Sequence, residues 1–112
     1  MKKIFLSFIL LTTSFFSVQA QTNSAEQLAQ HIADKMRDTL HLSVEKRQAI
    51  KQINLDLHNQ KMEARRQYAG SNILRSYLQQ IENKRDTLYN RILSEEEYML
   101  YKEKKENLIN KD

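Results

Sequence analysis

The chain has 112 residues with one Gly, no Pro and no Cys, and carries eighteen Lys and Arg against fourteen Asp and Glu. The lack of Cys excludes disulfides, thiolate metal sites and a Cys nucleophile, and a lone Gly excludes a Gly-rich phosphate loop. With no HExxH and no Ser-His-Asp arrangement either, an enzyme is the class these residues favour least.

Residues 1–20 read as a targeting segment. Lys2 and Lys3 make a positive start, an apolar run opens at Ile4–Leu11 and continues to about Val18, and Val18-Gln19-Ala20 supplies a small-x-small site with cleavage after Ala20. The run is shorter than the ~20 residues needed to span a bilayer, and Thr12-Thr13-Ser14 interrupts it. The protein is therefore expected to be exported. The exported part, residues 21–112, is one small domain without Phe or Trp, in which five Tyr are the only aromatics. A domain of this size buries only ~60% of its unfolded surface, so a homodimer is expected. From Lys46 to Arg91 ten basic side chains meet four acidic ones, whereas Ser94–Asp112 holds four and six. Nucleic acid is the first guess for such a basic middle, but export argues against it. Unfolded polypeptide suits the compartment better, and a membrane surface is the less favoured alternative.

The expected fold is all-α, about four helices in a thin, extended, hairpin-like layer. Residues 21–23 form a frayed start. Ser24-Ala25-Glu26-Gln27 has the spacing of a capping box, and the first helix runs to about Leu40. Ala25, Leu28, Ala29, Ile32, Met36 and Leu40 share one side of it. The opposite side carries His31, Asp34, Asp38 and His41, a spacing that suits a divalent metal but suits a solvated polar face better, so no metal or other cofactor is expected.

The second helix fills Leu42–Ala69, capped by Ser43 and closed by Gly70. Ile50, Ile53, Leu57, Ala64 and Tyr68 form its apolar seam, and Arg47, Lys51, Asn54, His58, Lys61 and Arg65 a basic and polar stripe beside it. Val44, Leu55 and Met62 flank that stripe. The mixture of positive charge and apolar groups on Arg47, Lys51, Leu55, His58, Lys61, Met62 and Arg65 is the expected client-binding side, left open to solvent. Gly70-Ser71-Asn72 turns the chain into a third, antiparallel helix from about Ile73 to Ile92. Its seam is Leu74, Tyr77, Leu78, Ile81, Leu88 and Ile92, and Arg85 within it is expected to lay its stem on the apolar surface with its head in water. Ser94 and Glu97 then make a capping box for a fourth helix, with Leu93 and Tyr98 at the spacing of a hydrophobic staple. Tyr98, Tyr101, Leu108 and Ile109 make its apolar side.

Leu42-Ser43-Val44-Glu45 and Leu93-Ser94-Glu95-Glu96 repeat one device 51 residues apart: a Leu that anchors a reversal, a capping hydroxyl and an acid in the first turn. On these residues the chain resembles the Spy/CpxP family of periplasmic helical proteins, marked by paired L-T-x-x-Q motifs at helix starts. Ser43 and Ser94 replace the motif's Thr, and Lys46 and Glu97 its Gln. The resemblance implies a curved helical cradle, an antiparallel dimer and a place in the envelope stress response. It also implies an ATP-independent chaperone, a regulatory partner of an envelope sensor, or a metal-responsive protein. Together with the mixed basic and apolar side of the second helix, the first of these is the expectation carried forward.

Overall fold

The structure is a computed structural model that describes residues 24–110. The expected targeting segment over 1–20, the start expected over 21–23 and Lys111-Asp112 lie outside the described residues. Among the described residues there are four helices: α1 over 24–40, α2 Val44–Tyr68, α3 Leu74–Ile92 and α4 Glu95–Lys105, which continues as a π-helical turn Glu106–Asn110. No strand occurs among the described residues, and no helix there is long and apolar enough to cross a membrane.

Each boundary has a local cause. Ser43 Oγ accepts from Lys46 N at 3.2 Å and opens α2. Gly70, at φ 77°, turns the chain after α2. Ser94 and Glu97 close the expected capping box, with Glu97 N donating to Ser94 Oγ at 3.2 Å and Ser94 N to Glu97 Oε1 at 2.8 Å. Helix α1 ends at Leu40, as expected. His41 takes φ 57°, and Leu42 N donates to Arg37 O at 3.1 Å, the long bond of a Schellman motif. An L side chain in that conformation costs ~1–2 kcal/mol, partly matched by the backbone entropy that Gly would lose. His41→Gly is therefore expected to raise the unfolding free energy by about 0.5–1 kcal/mol. A urea titration checks this, and an unchanged or lowered midpoint contradicts it.

Helix α2 is the spine. Cross-helix bonds from Arg47 to Asp34 and from Asn54 to Ala29 set α1 antiparallel along one side of it. The pairs Lys61–Glu82, Lys84–Gln60 and the stacked Tyr68–Tyr77 rings set α3 antiparallel along another. Two apolar clusters result. One draws on all four helices and includes Ile32, Ala33, Met36, Ile50, Tyr89, Tyr101 and Leu108. The other holds Leu57, Ala64 and Ile81 with Tyr68, Leu74, Leu78 and Leu88, all from α2 and α3. The far half of the hairpin is thus two helices thick, and the smallest extent of the molecule is 23 Å, about two helix diameters.

The expected seams are largely in place, with three differences, the first being Tyr77 of α3, which is 38% exposed and stacks on Tyr68. Leu28 is 40% exposed, although it shares a side with Ile32. Tyr89, outside the expected seam of α3, is fully buried, while Leu88 only packs against the second cluster. The reason is that α3 meets both α2 and α4, so its inward side is wider than a single seam.

Carboxylates clamp the helices pairwise. Asp34 takes Arg47 Nε at 2.7 Å between α1 and α2, and Glu97 takes Lys46 Nζ at 2.7 Å between α4 and α2. Glu82 takes Lys61 Nζ at 2.8 Å between α3 and α2. Asp86 takes the Tyr101 hydroxyl at 2.8 Å and Lys102 and Lys105 of α4. The hydrogen bond from Arg47 holds the Asp34 carboxyl below the usual range. For Glu82, Asp86 and Glu97, burial pushes the other way, but the bonds from Arg85 and Lys61, from Lys105 and Tyr101, and from Lys46 and Ser94 outweigh it, and all three are lowered. A lowered folded-state value stabilises the fold above the unfolded carboxyl's ~4 and loses that contribution as pH falls through the folded value. The melting temperature is expected to stay flat from about pH 8 to 5.5 and to fall steeply below about pH 4. Melts across pH check this, and a fold that gains stability on acidification contradicts it.

Candidate functional site

The seven residues of the expected client-binding side do not share one open side, because α1 lies across part of it. Arg47 is held by Asp34, and Lys51 is half-buried beside Glu26, Gln27 and Gln30. Leu55 is half-buried. Asn54, from the same stripe, is buried, with its amide toward the Ala29 carbonyl at 3.5 Å. His58 and Lys61 are half-buried as well, Lys61 against Glu82, and of the seven only Met62 and Arg65 are exposed. Met62 is 51% exposed and Arg65 is exposed, its Nη1 3.9 Å from the Met62 sulfur.

At the point where α1 stops covering α2 there is a cleft of about 460 Å³. Leu28, Ala29 and Ile32 of α1 and Ile109 of the C-terminal turn give it aliphatic walls, and Asn54, His58, Lys61, Glu82 and Arg85 a polar floor. A shallower groove of about 620 Å³ continues from it past Leu28 and His58 to Met62 and Ser24.

The floor is built around Arg85, which corrects the sequence expectation for that residue. Its guanidinium is not in water: the residue is 5% exposed. Nε and Nη2 donate to Glu82 at 3.0 and 3.2 Å, and Nη1 donates to Asn54 Oδ1 at 2.8 Å and to the Tyr89 hydroxyl at 3.0 Å. The Tyr89 hydroxyl donates in turn to the same Asn54 oxygen. Its partners on α2 and α3, Asn54, Glu82 and Tyr89, surround the head, and a buried guanidinium needs such acceptors. Burial pushes the Tyr89 hydroxyl up to about 12 despite the adjacent Arg85, so it stays a neutral donor. Burial alone would make Arg85 easier to deprotonate, but Tyr89 and Glu82 outweigh it and the charge is retained.

Asn54, Glu82, Arg85 and Tyr89 were not singled out as site residues by sequence. One signal was present: Asn54 stands between Ile50 and Leu57, and Arg85 between Ile81 and Leu88, polar groups at seam positions of two antiparallel helices.

On α1, His31, Asp34, Asp38 and His41 do not assemble. Asp34 is engaged by Arg47 and Gln30, and Asp38 lies against Arg37. Among the described residues no three His, Asp or Glu side chains come together as a metal-ligand set.

Fold and site define the chain as a small all-α protein built on a long helical hairpin, with a polar-floored cleft where its first helix crosses. Comparison with family models, curated protein sequences and solved structures finds no match.

Proposed function

We propose that the protein binds unfolded or misfolded polypeptides after export, as an ATP-independent, chaperone-like protein of the periplasm. The observation that carries this reading is the groove between α1 and α2, where the exposed apolar side chains of Leu28 and Met62 flank His58 and lead into a cleft holding Lys61. Unfolded chains present scattered apolar groups and charges. Positive potential from the basic middle of the chain speeds encounter, and apolar contact at ~25 cal/mol per Å² retains the client. Met62 adapts its shape to different side chains, which suits a binder without one preferred sequence. The targeting segment read in residues 1–20 and the resemblance of the two Ser-capped repeats support the compartment and the envelope-stress setting.

Light scattering from a heat-aggregating client tests the proposal. Leu28→Ser with Met62→Ser is expected to reduce suppression of aggregation severalfold while the helical signal and melting temperature stay within a few degrees of the parent. Undiminished suppression by that variant removes the groove from consideration.

A further inference from the structure

The cleft floor has an imbalance between donors and acceptors. Glu82 already accepts from both Arg85 and Lys61, and Asn54 Oδ1 accepts from both Arg85 and Tyr89. The donors are less fully used. Lys61 carries three N–H groups and gives one, to Glu82; Arg85 Nη2 carries two and gives one. His58 has no hydrogen-bond partner among the described residues, and an imidazole in either tautomer keeps an N–H. Lys61 and Arg85 against Glu82 leave one net positive charge, and the walls opposite are aliphatic throughout.

A guest that completes this floor must therefore accept hydrogen bonds and carry negative charge at one end. It must also present hydrocarbon to Leu28, Ile32 and Ile109. A dianion is disfavoured, because Glu82 already sits in the floor and only one positive charge is unbalanced. We propose that the cleft is a binding site for an amphiphilic monocarboxylate, a carboxylate on an aliphatic body, with the carboxylate held by Lys61 and His58 at the edge of the Arg85 network. A volume of about 460 Å³ falls in the range of small-molecule pockets. The site adjoins the outer groove and shares Leu28 and His58 with it, but Lys61, Glu82 and Arg85 line the cleft alone, so the proposal stands whether or not the groove holds polypeptide.

The carboxylate can come from a fatty acid or from the C-terminus of an apolar peptide, and calorimetry on the full mature chain separates these. Decanoate, below its micellar concentration, is expected to bind saturably with one site, and decyltrimethylammonium, with the same chain and opposite charge, at least tenfold more weakly. A short Leu-rich peptide with a free C-terminus that binds as tightly as decanoate, and loses binding on amidation, assigns the site to chain ends; binding of decanoate alone assigns it to fatty acids. Lys61→Met is expected to weaken decanoate at least tenfold and Lys61→Arg less than threefold. Met62→Ser, outside the cleft, is expected to leave it within twofold, which distinguishes loss of this site from loss of the outer groove. Should Lys61→Met prove unstable, Leu28→Asp on the exposed rim places a carboxylate at the wall and has the same expected loss. No saturable decanoate binding, equal binding of the cationic amphiphile, or unchanged binding in both Lys61→Met and Leu28→Asp overturns the proposal.

Discussion

Arg85→Ala is expected to lower the unfolding free energy by about 3–5 kcal/mol, the range for removing one partner of a buried, hydrogen-bonded charge pair. The loss has three parts. Glu82 keeps Lys61 as its only cation, Asn54 and Tyr89 lose the donor that fixes them, and the long stem leaves a void between α2 and α3. A domain of this size has ~5–14 kcal/mol in total, so this one side chain decides much of it. The urea midpoint should fall by at least about 1 M for a slope of 1–3 kcal/mol per M. Arg85→Met separates the head from the stem. It should lose most of the same free energy, whereas a guanidinium resting in water would make that change neutral. Arg85→Lys should also fall short, because an ammonium lacks the planar fork that reaches Glu82, Asn54 and Tyr89 together.

Tyr101→Ala is expected to have a comparable effect, about 3–5 kcal/mol, as for other large buried aromatics. The ring is fully buried, edge-on to Tyr89 with centroids 5.0 Å apart and tilted against Tyr98 at 5.9 Å. Helix α4 has eleven residues, too few to persist without tertiary packing. Tyr101 is therefore the main anchor of α4 on α3, and its loss should free the amides of α4 for hydrogen exchange before those of α2. Tyr101→Phe should cost only about 1 kcal/mol, since Asp86 keeps Lys102 and Lys105. Equal destabilisation by the two substitutions would mean that the hydroxyl, not the ring, holds the helix.

What could be read from the sequence was what neighbours in the chain determine. Ser43 and the Ser94–Glu97 box open helices, and Gly70 follows the end of one, through geometry within a few residues, and the seams of α2 and α3 follow largely from their own periodicity. The site depended on partners far along the chain. A helical wheel places Arg85 on an apolar side but cannot show that Asn54, 31 residues earlier, stands ready to accept from it. It also cannot show which polar side of α2 the first helix covers; that depends on Asp34 reaching Arg47. Lys46 and Glu97 are the clearest instance. Taken singly, each departs from the repeated motif, yet their side chains meet at 2.7 Å, so the two Ser-capped helix starts lie side by side. Leu42 and Leu93, the first residues of the two copies, are buried in the same cluster. The repeat is thus a spatial pair, with complementary charges at its closing position.

Site-specific photocrosslinking gives the most direct test of where partners bind. Met62 and Met99 are both more than half exposed, at 51% and 66%, but only Met62 borders the groove between α1 and α2. A photoreactive residue at position 62 is expected to capture an unfolded client, while one at 99 yields little. Capture at 99 equal to or above that at 62 would place binding elsewhere on the molecule.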